Sequence, residues 1–317
     1  MIKLYLVVPC YNEEDVLNET ANRLCIKMTS MIKNNIISKD SKIMFVDDGS
    51  RDKTWEIIEK SSQTSTLIQG LKLAHNKGHQ NAVLAGLMTA KEYCDCAISL
   101  DADLQDDIEI LDKFIEKFNE GSHIVYGVRN DRKKDSFFKR NTALAFYKIM
   151  KFLGTEVVSN HADYRLMSKT ALLALEEYRE TNLFLRGIVP LIGYKTDKVY
   201  YERNERFAGK SKYPLRKMIS FAFEGITSFS VKPLKLISSL GIMISLLSVL
   251  GLLYAFISYL SGYAVAGWTA IVMSIWLLGG IQLLSMGVIG TYIGKIYSEV
   301  KKRPRFKIEK YAKKDEN

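Results

Sequence analysis

The chain has 317 residues, is 47% hydrophobic and carries a formal net charge of +10. That length holds one core of roughly 200 residues plus a second, smaller part. The four cysteines, Cys10, Cys25, Cys94 and Cys96, show neither zinc-finger spacing nor a disulfide framework, which excludes a small stapled secreted domain and reads as reduced cytosolic thiols.

Residues 1–8 are too short an apolar run for a signal peptide and lead straight into Pro9 and a charged stretch, so the N-terminal part is expected in the cytoplasm. Strands are predicted at 4–8, 43–46, 67–73, 97–100 and 123–126, with helices at 13–32, 53–61 and 108–118. This alternation predicts βαβ units around a mostly parallel sheet, with ligands at the carboxyl ends of the strands.

Three polar motifs fall at those ends. Pro9-Cys10-Tyr11-Asn12-Glu13-Glu14 closes the first strand and opens a helix, a place for a base or ribose, or simply acids complementing a helix dipole. Asp47-Asp48-Gly49-Ser50-Arg51-Asp52 closes the second; its carboxylates can accept from a base or ribose, and Ser50 or Asp52 can equally cap the helix of Trp55. Asp101-Ala102-Asp103-Leu104-Gln105-Asp106-Asp107 closes the fourth, and carboxylates this close repel unless a cation joins them. Mg²⁺ or Mn²⁺ takes such oxygen ligands, the rest of its shell coming from water and substrate phosphates.

Further on, residues 217–230 place aromatic and aliphatic side chains at loosely helical spacing between basic residues, either an interfacial helix lying on a bilayer or an ordinary core helix. Residues 237–260 and 268–293 are uncharged runs longer than the roughly 20 residues that cross a hydrocarbon core, and they predict two transmembrane helices. Lysines and arginines flank both ends of the pair, whereas the connection between the runs has no charge, so both termini are expected on the cytoplasmic side. Gly290 and Gly294 offer a small-residue packing face on the second run. The boundaries are thus 1–205 for a cytoplasmic domain, 206–236 for a basic juxtamembrane segment, 237–294 for the two spans and 295–317 for a basic tail. Because the basic residues cluster beside the spans, lipid explains the charge better than nucleic acid does.

Together the three motifs resemble the nucleotide-binding half of family 2 glycosyltransferases of the GT-A (Rossmann-like) α/β fold. More narrowly, Asn76-Lys77-Gly78-His79-Gln80-Asn81, Tyr126-Gly127-Val128-Arg129, Asp163-Tyr164-Arg165-Leu166, Leu185-Arg186-Gly187 and the stretch from Arg203 to Tyr213 resemble the polyprenyl-phosphate glycosyltransferases, which include bactoprenol glucosyltransferases and dolichol-phosphate mannose synthases. The resemblance extends over essentially the whole chain. It implies that Pro9, Tyr11, Glu13, Asp48, Lys77, Asp101, Ala102 and Gln105 bind the nucleotide-sugar, and that Asp101 and Asp103 hold a divalent cation, Mg²⁺ or Mn²⁺. It further implies that Asp163, Asp103 and Arg206 are catalytic, and that Arg129, Arg165, Arg186, Arg206, Ser211 and Lys212 meet the acceptor or its phosphate.

The implied reaction is an inverting transfer from a UDP-sugar, most simply UDP-glucose, to a polyprenyl phosphate such as undecaprenyl phosphate at the membrane. GDP-mannose, UDP-GlcNAc, UDP-galactose and a modified pentose are alternative donors, and the resemblance suggests a homo-oligomer of four chains. A processive polysaccharide synthase is expected to show Gln-x-x-Arg-Trp, and none of Trp55, Trp268 and Trp276 follows an arginine. A non-catalytic membrane scaffold is the alternative of another class, against which Asp101, Asp103, Asp163 and Arg206 stand intact.

Overall fold

The computed structural model describes residues 1–129, 161–181, 183–202, 232–261 and 267–314. In chain order these form β1 (Leu4–Cys10), α1 (Leu17–Lys33), β2 (Lys42–Asp47), α2 (Thr54–Thr64), β3 (Ile68–Leu73), α3 (His79–Ala90), β4 (Cys96–Ser99), a 3₁₀ turn (Ile108–Ile110) running into α4 (Leu111–Asn119), and β5 (Ile124–Arg129). They continue with β6 (His161–Ser168), α5 (Lys169–Glu177), α6 (Leu185–Leu191), β7 (Thr196–Tyr201), α7 (Lys232–Leu260), α8 (Trp268–Val300) and β8 (Ile308–Ala312). The chain divides into two compact units, one built on the strands and α1–α6, the other on α7 and α8.

In the first unit the eight strands form one sheet in the order β7-β5-β6-β4-β1-β2-β3-β8. β1 pairs in parallel with β2 and β4, β2 with β3, and β5 with β7, whereas β6 runs antiparallel to β4 and β5, and β8 antiparallel to β3. The sheet is therefore mostly parallel, as expected, but mixed: β6 and β8, which lie outside the βαβ repeats from which the expectation was drawn, run against the other six strands. All seven residues of β1 are buried, as a central strand covered on both faces requires. On one face Leu4, Leu6, Val8, Ile43 and Phe45 pack with Leu24 and Met28 of α1, Trp55 and Ile58 of α2, and Phe114 of α4. On the other, α3 lies so close that a Cβ on Gly86 would stand 2.3 Å from Val7 Cγ1 and 2.8 Å from Val46 Cγ2, so glycine permits this layer spacing.

The second unit consists of the long helices α7 and α8, along which Leu246, Leu250, Ile275, Leu283 and Leu284 are exposed. Among the described residues one stretch, Leu277–Val300 of α8, is long and apolar enough to cross a membrane. The first predicted span, 237–260, is helical within α7. The interfacial helix expected at 217–230 lies outside the described residues.

Candidate active site

The ends of β1, β2 and β4 deliver the three motifs to one edge of the sheet. After β1 the backbone turns at Asn12, whose φ of 52 lies in the left-handed region that asparagine tolerates. The turn is tied to the end of β2: Asn12 N donates to Ser50 Oγ (3.0 Å), Glu13 N to Thr54 Oγ1 (2.9 Å) and Arg51 N to Asn12 Oδ1 (2.9 Å). Pro9 pairs with Val46 inside the sheet, while Tyr11 is 38% exposed on the turn.

Asp48, at the end of β2, is buried and accepts from Lys77 N (2.7 Å) and Gly78 N (2.9 Å), so its carboxylate shapes the turn between β3 and α3. Burial raises its pKa, against the pull of those two amides. Gly49 beside it has φ +67, and a Cβ there would stand 2.6 Å from Asn76 N and 2.8 Å from His75 C; only glycine allows this turn so close.

The turn at 74–78 leads directly into His79, a residue for which the sequence suggested no role. Its Nε2 stands 3.6 Å from Asp101 Oδ1 at the end of β4 and 3.6 Å from Asp163 Oδ2 on β6. The neighbouring Gln80 accepts from Leu185 N (2.7 Å), anchoring the start of α6, which carries Arg186. Antiparallel pairing of β4 with β6, with Ser99 opposite Arg165 and Ser99 Oγ donating to Asp163 O (2.6 Å), brings Asp163 beside Asp101.

Asp163 is gripped from three sides. Arg165 Nη2 donates to Oδ1 (2.5 Å), and Arg186 donates through Nε to Oδ1 (3.2 Å) and through Nη2 to Oδ2 (3.1 Å). Burial raises the pKa of this carboxyl, but Arg186, His79 and Arg165 outweigh it and hold the group well below the usual carboxylate range. Burial lowers the pKa of His79, and the Asp163 hydrogen bond and Asp101 charge raise it more. Asp101 is pushed up to about 6, by withdrawal from water and then, against the pull of His79, by Asp106, Asp163 and Asp103.

Asp101 and Asp103 therefore concentrate negative charge that a hard divalent cation would relieve, and their oxygens suit Mg²⁺ or Mn²⁺. Among the described residues no group of three or more His, Cys, Asp or Glu side chains forms a protein cage, so such an ion would draw further oxygens from water and substrate phosphates. The loop is shaped for this placement: Leu104 adopts φ 56, Gln105 N donates to Asp103 Oδ1 (3.2 Å), and Thr20 Oγ1 donates to Ala102 O (2.7 Å).

Of the predicted phosphate ligands, Arg186 reaches the cluster with its side chain 35% exposed, whereas Arg165 is buried against Asp163 and Leu185 O. Arg129 lies apart from both, donating to the buried Asp106 (3.1 Å) and to Tyr201 Oη (3.1 Å), while Tyr201 donates to Asp106. Arg206, Ser211 and Lys212 lie outside the described residues.

Residues 5–175 match the family model described as Glycosyl transferase family 2. The uncharacterized glycosyltransferase YkoT of Bacillus subtilis (strain 168) is 55% identical, covering 96% of this chain and 91% of its own length. The prophage bactoprenol glucosyl transferase homolog of Escherichia coli (strain K12) is 37% identical over 98% of this chain and 100% of its own. The bactoprenol glucosyl transferase of Shigella phage SfII is 38% identical over 98% of each. Among solved structures, a mannosyltransferase from Pyrobaculum calidifontis in complex with GDP-Man and Mn²⁺ aligns with 95% of this chain and 87% of its own at 14% identity and a TM-score of 0.45, too loose a likeness to bear on function.

Proposed function

The chain belongs to glycosyl transferase family 2, and from that premise we propose that it moves glucose from UDP-glucose onto a polyprenyl phosphate such as undecaprenyl phosphate, at the cytoplasmic face of a membrane. The observation that carries this reading is the meeting of Asp101, Asp163, His79 and Arg186, drawn from β4, β6, α3 and α6, at the edge where the nucleotide motifs end. Relatives named for glucosyl transfer to bactoprenol, matched over nearly the full chain, support the sugar and the lipid acceptor.

The acceptor is a phosphate monoester with a second pKa near 6, about the value for phosphorylated side chains, so it is already largely dianionic at neutral pH. The reaction then needs alignment and charge neutralisation more than a strong base. Asp163 suits that need, since a carboxyl held far below its usual range is a poor proton acceptor but a firm anchor for Arg186. We assign Arg186 to the phosphates, Tyr11 and Glu13 to the nucleoside, and Asp48 to holding the turn from which Lys77 reaches the donor. A cation held by Asp101 and Asp103 would neutralise the departing diphosphate. The acceptor oxygen attacks the anomeric carbon opposite the leaving group in one displacement, which inverts that centre.

Both α7 and α8 cross the bilayer in this reading, with the catalytic unit and the termini on the cytoplasmic side and Arg206, Ser211 and Lys212 near the lipid phosphate. A homo-oligomer is consistent with the small-residue face at Gly290 and Gly294. The test is transfer of labelled sugar from separate UDP- and GDP-sugars to undecaprenyl phosphate in detergent, with the anomeric configuration of the product read by NMR. Organic-phase label from UDP-glucose with inverted configuration is expected; retention, or exclusive use of another donor, contradicts the corresponding part of the proposal.

A further inference from the structure

The C-terminal residues, which the sequence presents only as a basic tail, form β8 on the free side of β3. Ala312 pairs with Gly70, Tyr311 with Leu71, Lys310 with Lys72 and Ile308 with Leu73, and the register shifts between Lys72 and Leu73. Side chains secure the strand: Tyr311 Oη donates to Gln69 Oε1 (2.7 Å), Glu309 meets Lys72 Nζ at 3.2 Å, Ala312 packs against the core beside Gly70, and Arg305 donates to Tyr178 O. Just where β3 ends, Ala74 N donates to Lys307 O (2.9 Å).

Ala74 is the first residue of the turn on which the candidate site depends. Within six positions of it, Asn76 abuts Gly49, Lys77 N and Gly78 N bond Asp48, His79 faces Asp101 and Asp163, and Gln80 holds Leu185 N beside Arg186. The entry to this turn is fixed on one side by β3 and on the other by Lys307, so its geometry is shared with the tail.

We infer that residues 307–312 are a positioning segment of the transferase: they strap the end of β3 and so set the turn at 74–80 that organises donor binding. The assignment of that turn to the donor site rests on the function proposed above, whereas the strap itself does not. Disrupting the strap leaves the β1–β2 core in place and loosens the turn, weakening donor binding while sparing the acceptor.

Two forms of the protein test this, one ending at Phe306 and one full-length with Lys310→Pro, a change on an exposed strand residue that proline removes from the ladder. Hydrogen exchange is followed at 74–80 and, as control, at 4–10 in both forms, and at 308–312 in the full-length Lys310→Pro form, with KM measured separately for UDP-glucose and undecaprenyl phosphate. We expect exchange at 74–80 to quicken about tenfold with 4–10 unchanged, donor KM to rise about fivefold or more, and acceptor KM to stay within about twofold. Unchanged exchange at 74–80 while 308–312 is released overturns the strap, and so does equal quickening at 4–10, which makes the tail a general prop of the sheet. A loosened turn with unaltered donor KM supports the strap and counts against placing the turn in the donor site.

Discussion

Asp163 carries more hydrogen bonds from cations than any other carboxylate described at the site, and that determines what it can do. Its depressed pKa is a stabilising term fully present at neutral pH; it declines as the pH falls below the ordinary carboxyl value and is gone once the pH has passed through the much lower folded-state value. Asp163→Asn leaves the fully buried Arg165 without its anion, and removal of one partner from such a pair costs about 3 kcal/mol. Thermal melting should record that loss, and turnover should fall about 100-fold because Arg186 is no longer aligned. A variant that kept full turnover would remove Asp163 from the mechanism.

Asp101 behaves in the opposite sense. Its folded pKa, about 6, lies above the ordinary carboxyl value, so the protonated form is favoured on folding and the associated stability is lost as pH rises toward 6. In metal-free protein, Asp101→Asn should therefore melt a few degrees above wild type at pH 7.5, and the difference should shrink toward pH 4. No difference at pH 7.5 would show that the charge of Asp101 is already balanced. The carboxylates themselves were legible in the sequence because they follow apolar strands, but their partners were not. Nothing in the spacing from His79 to Asp101 or Asp163 says that one imidazole faces both; that follows from β6 pairing antiparallel with β4, a contact between distant segments.

At the scale of elements, the first five strands were readable from apolar runs, each within two or three residues of its observed bounds. The helix α3 was not predicted, since its buried face is nearly continuous from Ala82 to Leu87 and lacks the polar alternation that marks an amphipathic helix. β8 was also invisible, because Ile308–Ala312 is short, charged and exposed, as edge strands tend to be. The turn after β2 shows how an element junction constrains chemistry. Gly49→Ala combines a positive φ with a Cβ driven into the backbone of His75 and Asn76, and should cost about 2 kcal/mol or more while raising donor KM. Wild-type melting and donor KM in that variant would show that the turn yields without consequence.

For the whole molecule, the sequence loses its charged residues after Lys235 and regains them at Lys295, and the structure separates a unit built on the sheet from one that holds α7 and α8. Exposed leucines and isoleucines along both helices, with Leu277–Val300 long and apolar enough to span a bilayer, are what the membrane association proposed above would use. Sodium carbonate washing should leave the full chain in the membrane pellet, whereas extraction into the wash would mean that it lies only on the surface. What composition did not reveal is that the segment following these helices completes the catalytic sheet, since a hydropathy change locates an apolar run and says nothing of where the next polar stretch pairs.

The measurement that bears most directly on the transferase reading is formation of lipid-extractable glucose product by wild type and Asp103→Ala, each with Mg²⁺, Mn²⁺ or EDTA. Product that requires both the metal and Asp103, falling about 100-fold or more without either, is the expected result. Product formed equally well in EDTA or by Asp103→Ala would contradict the site proposed here.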